Sequence, residues 1–146
     1  MRIVLQRVVE ASVTVDGRIA AAIGPGLVAL VGVATGDSQA VAQRLARKTA
    51  HLRVFGDGPG AERSVTDVGG EVLVVSQFTL LADTRRGNRP SWSGAATADE
   101  AAGIVAAYAD ALTAEGVPVA TGRFGSRMTV RIANEGPLTI VLDSAT

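Results

Sequence analysis

The chain has 146 residues, with 14 basic and 14 acidic side chains, one His and no Cys, which is the size of one compact domain spanning residues 1–146. Without a thiol it can build no thiolate nucleophile, zinc finger, iron–sulfur site or disulfide framework. Zero net charge and a pI near 6.6 exclude a wholly basic nucleic-acid coat, though not a local basic patch. A hydrophobic fraction of 47% and a mean hydropathy of +0.29 provide a core and exclude a disordered chain. No apolar run nears the roughly 20 residues that cross a bilayer, and Gln6 and Arg7 interrupt the N-terminal apolar pattern as no signal peptide would. A soluble, cytoplasmic protein is expected.

Residues 2–8 and 11–15 are rich in Val and Ile, separate around Glu10, and predict two short strands. Asp16-Gly17 predicts a hairpin turn into residues 18–23. After Gly24-Pro25-Gly26, the apolar run Leu27–Val33 has the length of a strand covered on both faces. Asp37 or Ser38 can cap a helix carrying Val41, Leu45, Thr49, Leu52 and Phe55 on one side, with Arg44, Arg47 and Lys48 largely on the other. A loop is expected over 56–63 and a strand over 71–78. A polar loop follows over 83–96, before Thr97 and Glu100 form a capping box that opens a second helix. Ile104, Val105, Tyr108 and Leu112 form its apolar stripe, and Gly116 and Pro118 end it. Strands near 127–133 and 138–142 finish the chain. Strands outnumber helices and both helices follow strands, so a mixed α/β or α+β domain with substantial sheet is expected.

Little conventional catalytic chemistry is available. A Ser-His-Asp arrangement needs a placed imidazole, and the sole His, His51, falls inside the first predicted helix, where it reads as a surface or packing residue. No metal-ligand cluster, P-loop or dinucleotide fingerprint is present, so neither metal nor cofactor is expected. Ser76-Gln77-Phe78-Thr79 ends a Val-rich strand, and alternation would put Ser76 and Phe78 on one face, Gln77 and Thr79 on the other. Its hydroxyl, amide and main-chain N–H groups suit an oxyanion-binding lip, but a polar strand end bonding locally gives the same pattern. Asn134-Glu135-Gly136-Pro137-Leu138-Thr139 reads either as a turn or as a main-chain wall, because Gly allows close approach and an X-Pro bond can be cis at small cost. Arg85, Arg86 and Arg89, then Arg123, Arg127 and Arg131, offer a solvated face or a phosphate track. Trp92 could stack on a base or anchor its loop.

Taken in order, Met1–Val8, Ala11–Val15, Gly69–Leu80, Asn88–Ser91, Thr121–Gly125 and Asn134–Thr139 resemble the bacterial and eukaryotic D-aminoacyl-tRNA deacylase family along essentially the whole chain. The resemblance implies a barrel-like, homodimeric α/β fold and a carboxylic ester hydrolase. Its substrate would be the 3′ end of D-aminoacyl-tRNA, with glycine mischarged on tRNA-Ala also released and L-aminoacyl-tRNA rejected. It further implies that Ser76, Gln77, Phe78 and Thr79 form the catalytic strand motif. Gly136 and Pro137 would form a cis dipeptide reaching into the other subunit's site. Arg7, Arg85, Arg86, Arg89 and Arg123 are the candidate tRNA contacts, with neither membrane nor DNA as a partner. Leu138 stands where the family most often has Val, and Trp92 where Phe is usual; both changes are conservative.

Two mechanisms fit this inventory. Attack by Thr79 would need a base to take its proton, whereas main-chain oxyanion stabilisation with help from the vicinal ribose hydroxyl needs none. The shortage of bases favours the second. A non-catalytic tRNA-end-binding module and a small-molecule amide or imine hydrolase are the rival readings.

Overall fold

The structure, a computed structural model, describes residues 1–56, 58–59 and 62–146, so part of the loop expected over 56–63 lies outside the described residues. Its elements are β1 (Arg2–Val15), β2 (Arg18–Ile23), β3 (Gly26–Gly32), α1 (Gln39–His51), β4 (Glu71–Ser76), a 3-10 turn (Phe78–Leu81), α2 (Ala98–Ala114), β5 (Val119–Thr121) and β6 (Thr129–Asp143). The six strands make one sheet in the order β2-β1-β3-β4-β5, with β6 also paired to β1. At 14 residues, β1 is long enough for three neighbours: its first half lies between β3 and β6, its second between β2 and β6. The pairs β3–β4 and β4–β5 are parallel and need crossovers, which carry α1 and α2. The result is the expected mixed α/β fold, a near-closed barrel-like sheet with two helices.

Successive strand side chains face opposite ways, so β3 and β4 feed two cores. Leu27, Ala29, Val72 and Val74 pack with the helices, against Ala46, Tyr108 and Leu112. Val28, Leu73 and Val75 pack with Val8 and Val13 on the other face. Both faces being covered, these strands read as unbroken apolar runs.

Local signals hold where they are strong. Asp16 and Gly17 both have positive φ, 50° and 75°, as a two-residue hairpin turn requires. Ser38 caps α1 by accepting from the Val41 N–H, and Thr97 and Glu100 form the expected capping box of α2. Between the helices, the buried Tyr108 hydroxyl lies 2.8 Å from Thr49 Oγ1, which itself donates to the Leu45 carbonyl.

Several expectations need correction. β1 is one strand, not two. Ile3 and Leu5 face the helices while Val8, Ala11, Val13 and Val15 face the other core, so side-chain parity changes between Val8 and Ala11. A register shift between Val8 and Glu10 accounts for it, leaving Val9 and Glu10 exposed. β6 is also one strand, starting at Thr129 rather than near 127. Its apparent break is an excursion: Gln6 pairs with Thr139 and Val8 with Asn134, so two steps along β1 match five along β6. The extra residues are Glu135–Leu138. α1 ends at His51, so that residue closes the helix instead of lying inside it, and Phe55 lies beyond. No described helix is long and apolar enough to cross a membrane.

Candidate active site

β4 stops at Ser76, one step before the Ser76-Gln77-Phe78-Thr79 segment turns a corner. Gln77 leaves the strand at φ −148°, ψ 77°, and Phe78–Leu81 wraps into the 3-10 turn. Alternation therefore fails at this point: Ser76, Gln77 and Phe78 all line one cavity of about 650 Å³. The Gln77 N–H is fixed on the Val31 carbonyl at 2.7 Å. Thr79 is not in the cavity wall; it accepts a short hydrogen bond from the Gln77 side-chain amide.

The opposite wall comes from residues that sequence reasoning assigned elsewhere or missed. Phe124, Ser126 and Arg127 line it, together with Ala98 and Ala101 from the start of α2. Arg127 thus belongs to the cavity, not to an outer strand face. Trp92 stands at the wall with its ring edge-on to Phe78, centroids 5.9 Å apart at 67°. Both rings are exposed, Phe78 by 58% and Trp92 by 40%, which leaves them open to a planar ligand. A run of Arg-Phe-Gly followed by Ser-Arg before a strand was the one sequence signal for this wall.

Arg127 is the sole ionisable residue among the described residues that line the cavity. Among the described residues lining it, none is a carboxylate or imidazole able to take a proton. His51 is engaged elsewhere, 2.7 Å from Glu115 where α1 and α2 end.

Gly136 and Pro137 are joined by a cis peptide bond, and both are exposed. They do not line the cavity of their own chain. A Cβ added at Gly136 would meet only Asn134 Nδ2, at 3.7 Å. Arg7 stands opposite this excursion with its side chain 11% exposed. Its Nη1 donates to the Val54 carbonyl at 2.6 Å, and its Nε lies 3.3 Å from Glu135 Oε2 without hydrogen-bond alignment. Arg7 is therefore occupied with the protein's own groups, which fits a role in holding the excursion better than contact with tRNA.

The other arginines are on the surface. Arg85 is committed to Asp83, with Nε and Nη2 at 2.9 and 2.7 Å from its two oxygens. That pairing, with the Arg85 main-chain N–H, holds the Asp83 carboxyl far below the usual carboxylate range. Arg86, Arg89 and Arg123 are exposed and have no acidic partner among the described residues.

The cavity sets the Ser76 hydroxyl and the Gln77 amide beside Arg127, with no base among its described lining residues. The family model for D-Tyr-tRNA(Tyr) deacylase matches residues 4–143. A D-aminoacyl-tRNA deacylase of Roseiflexus castenholzii is 58% identical, over 99% of this chain and 93% of its own. One from Thermomicrobium roseum is 57% identical, over 99% and 95%. The solved structure of a c-Myc DNA unwinding element binding protein superposes with a TM-score of 0.89 at 38% identity, covering 98% of each chain. The chain belongs to the D-aminoacyl-tRNA deacylase family, and it is a hydrolase.

Proposed function

We propose that this protein hydrolyses the ester joining a D-amino acid to the terminal ribose of tRNA, and releases glycine from mischarged tRNA-Ala by the same route. The observation that carries the reading is the cavity lined by Ser76, Gln77 and Phe78, in which the single ionisable group among the described residues is an arginine. An aminoacyl ester is activated enough to be cleaved there without a side-chain base. Main-chain N–H groups near Phe78 and Thr79 stabilise the developing oxyanion, and the vicinal ribose hydroxyl assists the attacking water. The exposed rings of Phe78 and Trp92 offer a surface for the terminal base. Exposed Arg86, Arg89 and Arg123 meet phosphates, with Arg85 held by Asp83 between them.

Chirality follows from a second copy of the chain. In a homodimer, Gly136 and Pro137 of one copy enter the cleft of the other and receive the substrate amino group on main-chain carbonyls. An L side chain then collides with that wall, whereas a D side chain points away, so selection works by exclusion. Exposure of the dipeptide, its absence from its own chain's cavity and the empty space around Gly136 support this arrangement. A tRNA substrate puts the activity in the cytoplasm.

The test is a discharge assay on D- and L-aminoacyl-tRNA beside a free D-aminoacyl ester. Rapid discharge of the D-form alone is expected. Binding without release would indicate a tRNA-end-binding module, and turnover of the free ester without tRNA a small-molecule hydrolase.

A further inference from the structure

We infer that Arg2 is a positioning residue for the cleft: its guanidinium holds the Phe78–Leu81 turn in place through the Leu80 carbonyl. The inference rests on the deacylase reading of that cleft.

A four-residue 3-10 turn with no buried residue has little stability of its own, yet it carries the ring and main-chain groups that face the substrate. Its place is set from outside. The Gln77 N–H is tied to the Val31 carbonyl at its start. Near its end, Arg2 Nη1 donates to the Leu80 carbonyl at 3.0 Å. The last carbonyls of a helical turn have no partner within it, and a guanidinium makes the stronger, charge-assisted kind of bond to one of them. Gly32 closes the third side. A Cβ there would lie 2.5 Å from Leu81 Cδ2 and 3.0 Å from the Gln77 carbonyl oxygen, so the turn sits as close to β3 as a glycine allows.

Arg2 is itself held. It pairs with Asp143 across the β1–β6 ladder, Nε donating to Oδ2 at 2.9 Å and Nη2 2.8 Å from the same oxygen. The other carboxylate oxygen accepts from the Ala145 N–H at 3.0 Å. That main-chain bond and the guanidinium keep the Asp143 carboxyl below its usual range, and hence ionised. A continuous path of bonds therefore runs from the end of β6 through Arg2 to the turn. A lysine could reach one of these partners but could not fork between them.

The chain has one Trp, and Trp92 touches Phe78 edge-on, so its fluorescence reports the turn's position without any substrate. The experiment compares Arg2→Gln and Arg2→Lys with the wild type. It reads kcat and KM on D-aminoacyl-tRNA, Trp92 emission and far-UV circular dichroism. Misplaced oxyanion donors act on the transition state, so Arg2→Gln should lose about tenfold or more in kcat with KM changed less than about threefold. Trp92 emission should shift while circular dichroism is kept, and Arg2→Lys should recover part of both losses. A folded Arg2→Gln with kcat within about twofold of wild type and unchanged emission overturns the inference. If Arg2→Gln does not fold, wild-type kcat and emission in Arg2→Lys overturn it instead. A wild type that discharges no D-aminoacyl-tRNA would count against the deacylase reading, whereas Trp92 emission would still decide the role of Arg2.

Discussion

Arg7 and Glu135 meet at 3.3 Å across the β1–β6 ladder, at the point where β6 leaves its register to carry Gly136 and Pro137 outward. Since Arg7 also donates to the Val54 carbonyl, one mostly buried side chain ties β1, the segment after α1 and the excursion together. Arg7→Ala leaves that carbonyl and Glu135 without their cation and should cost about 2 kcal/mol of stability by chemical denaturation. Discharge of D-aminoacyl-tRNA should fall further than the folded fraction does. Glu135 is half exposed, so Glu135→Gln should cost less than about 1 kcal/mol.

Gly136→Ala separates the fold from the function. The protomer has room for the added methyl, whose nearest neighbour would be 3.7 Å away. Stability should change by less than about 1 kcal/mol, while the proposed composite site predicts a drop in turnover of about tenfold or more, the methyl meeting the substrate in the other copy's cleft. Unchanged kcat/KM in a folded variant would remove Gly136 from the site.

Thr79→Ala distinguishes the two mechanisms. Thr79 accepts from the Gln77 amide, and no base is among the described residues lining the neighbouring cavity. Turnover should therefore survive, reduced by about tenfold at most, with no acyl-enzyme found by mass spectrometry of a quenched reaction. Trapped acyl-Thr79 in the wild type, with abolished turnover in the variant, would replace this mechanism with nucleophilic catalysis.

Much of the fold is legible in the sequence because local rules decide it. The Asp16-Gly17 hairpin, the Ser38 cap and the Thr97–Glu100 box follow from chemistry within four residues. The two long strands are not legible in this way. At Val9-Glu10 the side chains change face, and at Glu135–Leu138 the chain leaves the ladder, yet β1 and β6 remain each other's partners on both sides. Only tertiary pairing joins those halves. The site was half legible for a related reason. Ser76, Gln77 and Phe78 stand out as a motif, but alternation cannot foresee the turn that brings all three to one cavity. The far wall at Phe124 and Arg127 is set by a loop with no periodic pattern.

The pH dependence of stability should carry a signature of the helix ends. Glu115 has its carboxyl pKa lowered, first by the bond to His51 and then by Arg47. A carboxylate lowered on folding contributes stability above its unfolded pKa and loses it as pH falls through the folded value. Removing His51 weakens that shift. The stability difference between wild type and His51→Ala should thus be present at pH 5–6 and shrink as pH falls below about 4.5. A difference that grew on acidification, in denaturant curves at each pH, would contradict this assignment.

The central claim is that each working site combines the cleft of one chain with the Gly136-Pro137 of another, and complementation tests it most directly. Gln77→Ala damages the cleft and Gly136→Ala damages the dipeptide, so each homodimer should be nearly inactive. Subunits mixed after reversible unfolding give heterodimers with one intact composite site of two. Under statistical mixing, D-aminoacyl-tRNA discharge should recover to roughly a quarter of the wild-type rate. Failure to recover, in a mixture shown by mass spectrometry to contain the heterodimer, would contradict the composite site.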